Sequence, residues 1–71
     1  MSISARNQIK GKITGIVLGD VMCEVTIRAG QNVIDAVITR RSAEELKLKK
    51  GDTVVAVIKA TEVMIAREAE S

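Results

Sequence analysis

The feature that most restricts this chain is a two-residue alternation of apolar and polar side chains that begins near its start and returns along most of its length. From Gln8 to Val17, the residues Ile9, Gly11, Ile13, Gly15 and Val17 share one parity, while Gln8, Lys10, Lys12 and Thr14 share the other. Successive side chains of a strand point to opposite faces, so this segment reads as a half-buried β-strand, with glycines where it bends or another backbone approaches. Gly19-Asp20 makes a turn, after which Val21, Cys23, Val25 and Ile27 alternate with Met22, Glu24, Thr26 and Arg28. A hairpin is the simplest arrangement of two such runs.

Ala29-Gly30-Gln31-Asn32 forms the next turn, with Gly30 suited to a positive φ, and Val33 to Thr39 forms a third strand. Its faces are Ile34, Ala36 and Ile38 against Val33, Asp35, Val37 and Thr39. Ser42-Ala43-Glu44-Glu45 has the form of a capping box, with Ser42 as N-cap and Glu45 three residues on, and predicts a short helix through Leu46. Lys49-Lys50-Gly51-Asp52 ends that segment, and strands follow at Thr53 to Lys59 and Glu62 to Ala66. The fold class expected is all-β: a small OB-like Greek-key β-barrel of five strands with one short helix. An open sheet packed against a partner is the alternative. No proline, linker or low-complexity run divides the chain, so residues 1–71 read as a single domain whose last residues, 67–71, form a polar, flexible tail.

A chain of 71 residues buries only about 60% of the surface its unfolded form exposes, so a lone core is marginal. With one cysteine and no histidine, it has neither an intramolecular disulfide nor an ordinary zinc site to compensate. Self-association is the remaining source of stability. The nine Val and nine Ile favour sheet, and no aromatic residue is present to fill a core in large pieces. Cys23 reads as a packed apolar residue. The first fifteen residues include Arg6, Lys10 and Lys12 and no continuous apolar run, which predicts no signal peptide, no membrane span and a cytoplasmic protein.

These absences also restrict function. Without histidine, and without a nucleophile beside an evident base, the chain is not expected to be an enzyme. OB-like barrels often bind single-stranded nucleic acid by stacking bases on aromatic rings, a contribution of about 1–3 kcal/mol per base that this chain cannot make. A net charge of +2 does not replace it.

Three segments at element ends carry hydroxyl, cationic and small residues: Ser4-Ala5-Arg6, Thr39-Arg40-Arg41-Ser42 and Lys59-Ala60-Thr61. The oxygens of a tetrahedral dianion only accept hydrogen bonds, so its site needs N–H and O–H donors and positive charge, with no carboxylate facing in. Each residue also has an ordinary reading: Ser42 as a helix cap, Arg6 and Lys59 as surface cations, Thr39 as a strand residue. Glu44 and Glu45 would repel an anion placed on the helix axis, so the site would lie to one side.

The opening run Met1 to Lys12, which contains Ser4-Ala5-Arg6-Asn7-Gln8, resembles the start of the molbindins, the Mop-type molybdenum-pterin-binding family. The closing run Val57-Ile58-Lys59-Ala60-Thr61-Glu62-Val63-Met64-Ile65 resembles the family's end, and Ser42 to Leu46 and Leu48 to Gly51 match its spacing. The resemblance implies exchange of chain segments between two subunits and a homohexamer built as a trimer of dimers. It also implies molybdate or tungstate bound at subunit interfaces for storage and homeostasis; a molybdate-sensing module acting on a partner protein is the alternative. Carried over by position, Ser4 and Arg6 come from one subunit and Thr39, Ser42 and Lys59 from its neighbour, while Ala5 and Ala60 offer backbone N–H groups. The metal is expected only as its oxyanion, and with no aromatic residue to stack on a pterin, the bare anion is expected rather than a pterin cofactor. Arg40-Arg41 is more basic than the pair common in the family. Asp20, Glu24 and the Ala29-Gly30 turn also depart from it, and no residue is assigned to a second site near the threefold axis.

Overall fold

The computed structural model describes residues 6–68. Four strands, β1 (Asn7–Leu18), β2 (Met22–Ala29), β3 (Asn32–Thr39) and β4 (Thr53–Ile58), form one antiparallel sheet in the order β3-β2-β1-β4. Helix α1 (Arg40–Glu45) and a loop join β3 to β4, and a single 3-10 turn at Ala60–Glu62 follows β4. β1 is the long spine: Asn7 to Lys12 pair with β4 and Lys12 to Leu18 with β2.

Cross-strand partners share a face, so the register sorts the side chains. The inner face joins Ile13 to Ile27 and Ile34, Ile16 to Val25 and Ala36, and Cys23 to Ile38. Ile13, Cys23, Val25, Ile27, Ala43 and Ala56 are its buried core, and Ile13 and Cys23 are only 1% exposed. The thiol is therefore the packed apolar group expected of it.

The alternation holds through Ile13 and then slips. Ile13 opposes Ile27 but Gly15 opposes Thr26, so Thr14 is an extra residue, a β-bulge. Beyond it the parity inverts: Ile16 turns to the core, and Val17, expected on the same face as Ile13, is 66% exposed. Gly11 is required where it sits, since a Cβ there would meet the Arg28 carbonyl oxygen and Ile27 Cγ2, each at 2.7 Å.

The helix also begins earlier than expected. Thr39, not Ser42, is the N-cap; its Oγ1 accepts the Ser42 N–H at 3.0 Å, which moves the helix start into the end of β3. At the other end Lys47 adopts φ 53°, Lys47 N–H donates to Glu44 O at 3.0 Å and Leu48 N–H to Ala43 O at 3.1 Å. That is a Schellman closure with a lysine in the left-handed position usually taken by glycine, and it brings Leu48 onto the core.

The fifth strand expected over Glu62 to Ala66 is not formed in the chain. Glu62 belongs to the 3-10 turn, residues 63–68 carry no regular structure, and Met64 and Ile65 are each 91% exposed. A strand exists only with a ladder partner, and here neither outer strand supplies one. The sheet is consequently open, with β3 and β4 as its free edges. Its inner face lines an apolar cavity of about 430 Å³, with Ile34 and Ile38 on one side and Val54 and Ile58 on the other. Of the expected tail, residues 69–71 lie outside the described residues.

Candidate functional site

The residues singled out in the sequence fall into two groups at opposite ends of β1. At its far end, Thr39 pairs with Met22 on β2, and the next residue, Arg40, donates its backbone N–H to Val21 O at 2.7 Å. Capping then sets the local geometry: Thr39 Oγ1, fixed by the Ser42 N–H, lies 2.8 Å from Ser42 Oγ. Two hydroxyls carry two protons between them, and the bond that joins them uses one. The pair therefore presents one O–H to an outside acceptor.

At the near end, Asn7 pairs with Ile58, and Asn7 Nδ2 donates to Ile58 O at 3.3 Å. The next residues outward on the two strands are Arg6 and Lys59, both exposed. Among the described residues, no carboxylate pairs with either cation. Ala60 opens the 3-10 turn, where its N–H has no partner within the turn. Ser4 and Ala5 lie outside the described residues.

Within one chain, Arg6 and Lys59 follow the Asn7–Ile58 pair at one end of β1, while Thr39 and Ser42 lie towards the other. The twelve-residue length of β1 separates the two groups, so the structure brings Thr39 to Ser42 and leaves Arg6 and Lys59 at the opposite end. Chemically, each is a partial donor set: a hydroxyl pair at one end, two cations and an N–H at the other.

Arg40 is the residue that sequence reasoning left without a role. Its Nη1 donates to Gly19 O at 3.1 Å and its Nε to Glu44 Oε2 at 3.2 Å. Glu44 is thereby turned to Arg40, which occupies the charge expected to repel an anion. The i,i+4 spacing of Arg40 and Glu44 was the available signal; the contact with Gly19 is tertiary and had none. Among the described residues, no cluster of three His, Cys, Asp or Glu could hold a metal ion, and no helix is long and apolar enough to cross a membrane.

A small antiparallel sheet with donor groups at both ends of its longest strand defines the class of molecule by its architecture. Comparison with known proteins places it more narrowly. A family model, the TOBE domain, matches residues 3–65. Molybdenum-pterin-binding protein 1 of Clostridium pasteurianum is 52% identical over 66 residues, covering 92% of this chain and 97% of that protein. Among solved structures, a molybdate binding protein from Sporomusa ovata superposes with a TM-score of 0.90 at 36% identity, covering 94% of this chain and 100% of that one. The cytoplasmic molybdate-binding protein ModG, in a form with molybdate bound, gives a TM-score of 0.80 at 46% identity, covering 84% of this chain and 43% of that one. This chain belongs to the TOBE-domain family and, within it, to the molybdenum-pterin-binding Mop proteins.

Proposed function

We propose that this protein binds molybdate or tungstate as the intact oxyanion, at sites completed between copies of itself, and serves as a cytoplasmic store of the anion. The observation that carries the reading is the split donor set. Arg6, Lys59 and the Ala60 N–H supply charge balance and donors at one end of β1, and the Thr39–Ser42 pair supplies a hydroxyl proton at the other. One chain holding two halves of a donor-only site is complementary to a second chain holding the same two halves. Ser4 and the Ala5 N–H, next to Arg6 in sequence, belong to the charged half. The relatives favour the same ligand, since the Sporomusa protein is a molybdate binding protein and ModG was solved with molybdate bound.

The open sheet supports self-association in the same way. Its apolar cavity lies between two unpaired strand edges, and Val63, Met64 and Ile65 stand exposed beyond β4. A segment with this apolar character, supplied by a second copy, closes the gap as the fifth strand of an OB-like barrel, and the segment-exchanged dimers assemble three to a hexamer. The protein acts by binding, not catalysis. Nothing aromatic is available to stack on a pterin, so the bare anion is its ligand. Sulfate is excluded by its shorter bonds, and protonated phosphate because its O–H would face Arg6 or Lys59 instead of an acceptor.

Native mass spectrometry of the purified protein titrated with molybdate, with sulfate as control, tests this directly. The expected result is a hexamer that takes up several molybdates and no sulfate; a monomer or dimer that binds neither overturns the reading. A second reading, molybdate-dependent docking on a partner protein, is favoured by the fact that the matching region is only part of the ModG chain, so the same fold works within a longer protein. It predicts a partner retained by the immobilised protein only when molybdate is present.

A further inference from the structure

We propose that Arg40 is a positioning residue for the oxyanion site, acting through Thr39 and Ser42 by clamping the β1–β2 turn to the first turn of α1. The proposal rests on the binding function given above. Three bonds converge on this residue: its N–H to Val21 O at 2.7 Å, its Nη1 to Gly19 O at 3.1 Å and its Nε to Glu44 Oε2 at 3.2 Å. The turn it grips is itself tight, since Gly19 N–H donates to Met22 O at 2.8 Å and a Cβ on Gly19 would lie 2.7 Å from that oxygen.

Such a clamp has a reason to exist. A helix of six residues is too short to hold its own conformation, so contacts outside it set its direction. Ala43 anchors one side in the core, and Arg40 ties the other to the neighbouring turn. Thr39 lies between the β2 ladder, where it faces Met22, and Arg40. Any tilt of the helix start changes where the Thr39–Ser42 pair points its remaining proton. Hydrogen-bond strength falls steeply with angle, so orientation converts into affinity.

Arg40 differs in this from its neighbour. The Arg41 side chain is 89% exposed and only 4.0 Å from Glu45, whereas that of Arg40 is 40% exposed and spans two elements. Lysine is not equivalent, since a single ammonium on a flexible stem lacks the planar fork that grips Gly19 O and Glu44 together.

The test is a double-variant cycle. Molybdate affinity is measured by calorimetry, and assembly by native mass spectrometry, for the wild type, Arg40→Gln, Thr39→Val, the combination of the two, and Arg41→Gln. Arg40→Gln should bind about tenfold more weakly with unchanged mass. Added to Thr39→Val it should cost less than about twofold, because the Thr39 hydroxyl through which it orients the Ser42 O–H is already gone. Arg41→Gln should bind as the wild type. Should Arg40→Gln fail to assemble, Arg40→Lys carries the same comparison. Wild-type affinity in the Arg40 variant, or an equal loss with and without the Thr39 hydroxyl, overturns the proposal alone. A wild type that takes up no molybdate overturns the binding function and this proposal with it.

Discussion

Along its second half, from Ile13 to Leu18, β1 is paired with β2, and Ala43 of α1 joins Ile13, Cys23, Val25 and Ile27 in one buried cluster. Along its first half, from Asn7 to Lys12, β1 is paired with β4, of which only Ala56 joins that cluster, and the cavity lined by β4 and by the inner faces of β2 and β3 is filled by no element among the described residues. One half holds most of the buried core, with Val17, Leu18 and Val37 left exposed around it; the other exposes Ile9, Val55 and Val57 and ends at Arg6 and Lys59, which have no carboxylate partner among the described residues. A chain this small buries too little apolar surface to close both halves, so its second half supplies most of the fold and, on the function proposed above, its first half is left for association.

The largest effect expected from breaking this contrast lies in the finished half. Ile13→Ala removes a side chain that is 1% exposed, and urea unfolding should show a loss of about 2–5 kcal/mol. In the unfinished half, the effect should fall on assembly. Ile65→Asp places a charge on the exposed segment that the account assigns to a second copy's cavity, and size-exclusion chromatography should show smaller species with β-sheet circular dichroism retained. Arg6→Ala should leave both fold and mass intact while molybdate affinity falls about 10–100-fold, the worth of a hydrogen bond from a charged donor. The smallest change runs the other way: Lys47→Gly relieves a left-handed residue with φ 53° and should raise stability by about 1 kcal/mol in thermal unfolding. Ile13→Ala dissociating the assembly without lowering chain stability would remove the distinction between the halves.

The same contrast explains how much was legible in advance. Strands in the finished half follow from alternation, because one face is buried and the other wet. The register of Cys23, Val25 and Ile27 against Ile34, Ala36 and Ile38 obeys it throughout. The bulge at Thr14 was not legible, since an extra residue leaves no mark in a pattern of which glycine already forms part. Thr39 displaced Ser42 as the cap because two hydroxyl residues three apart offer the same chemistry, and tertiary pairing of Thr39 with Met22 decided between them. Val63-Met64-Ile65 carries the composition of a strand, yet pairing is a property of two segments, and the chain alone contains only one. For the site, the three donor segments stand out in the sequence, but the end of β1 at which each lies does not, because that depends on the register that pairs Asn7 with Ile58 and Met22 with Thr39.

An oxyanion site that draws on two copies of the chain can be recognised by subunit mixing. Arg6→Ala and Ser42→Ala proteins, each defective alone, are unfolded together in equal amounts, refolded and titrated with molybdate. If the two donor groups of a site come from different copies, a mixed pair has one doubly altered site and one intact site, and roughly a quarter of all sites should regain wild-type affinity. A mixture that binds no better than either variant alone, although mass spectrometry shows the two chains in one assembly, would contradict the account.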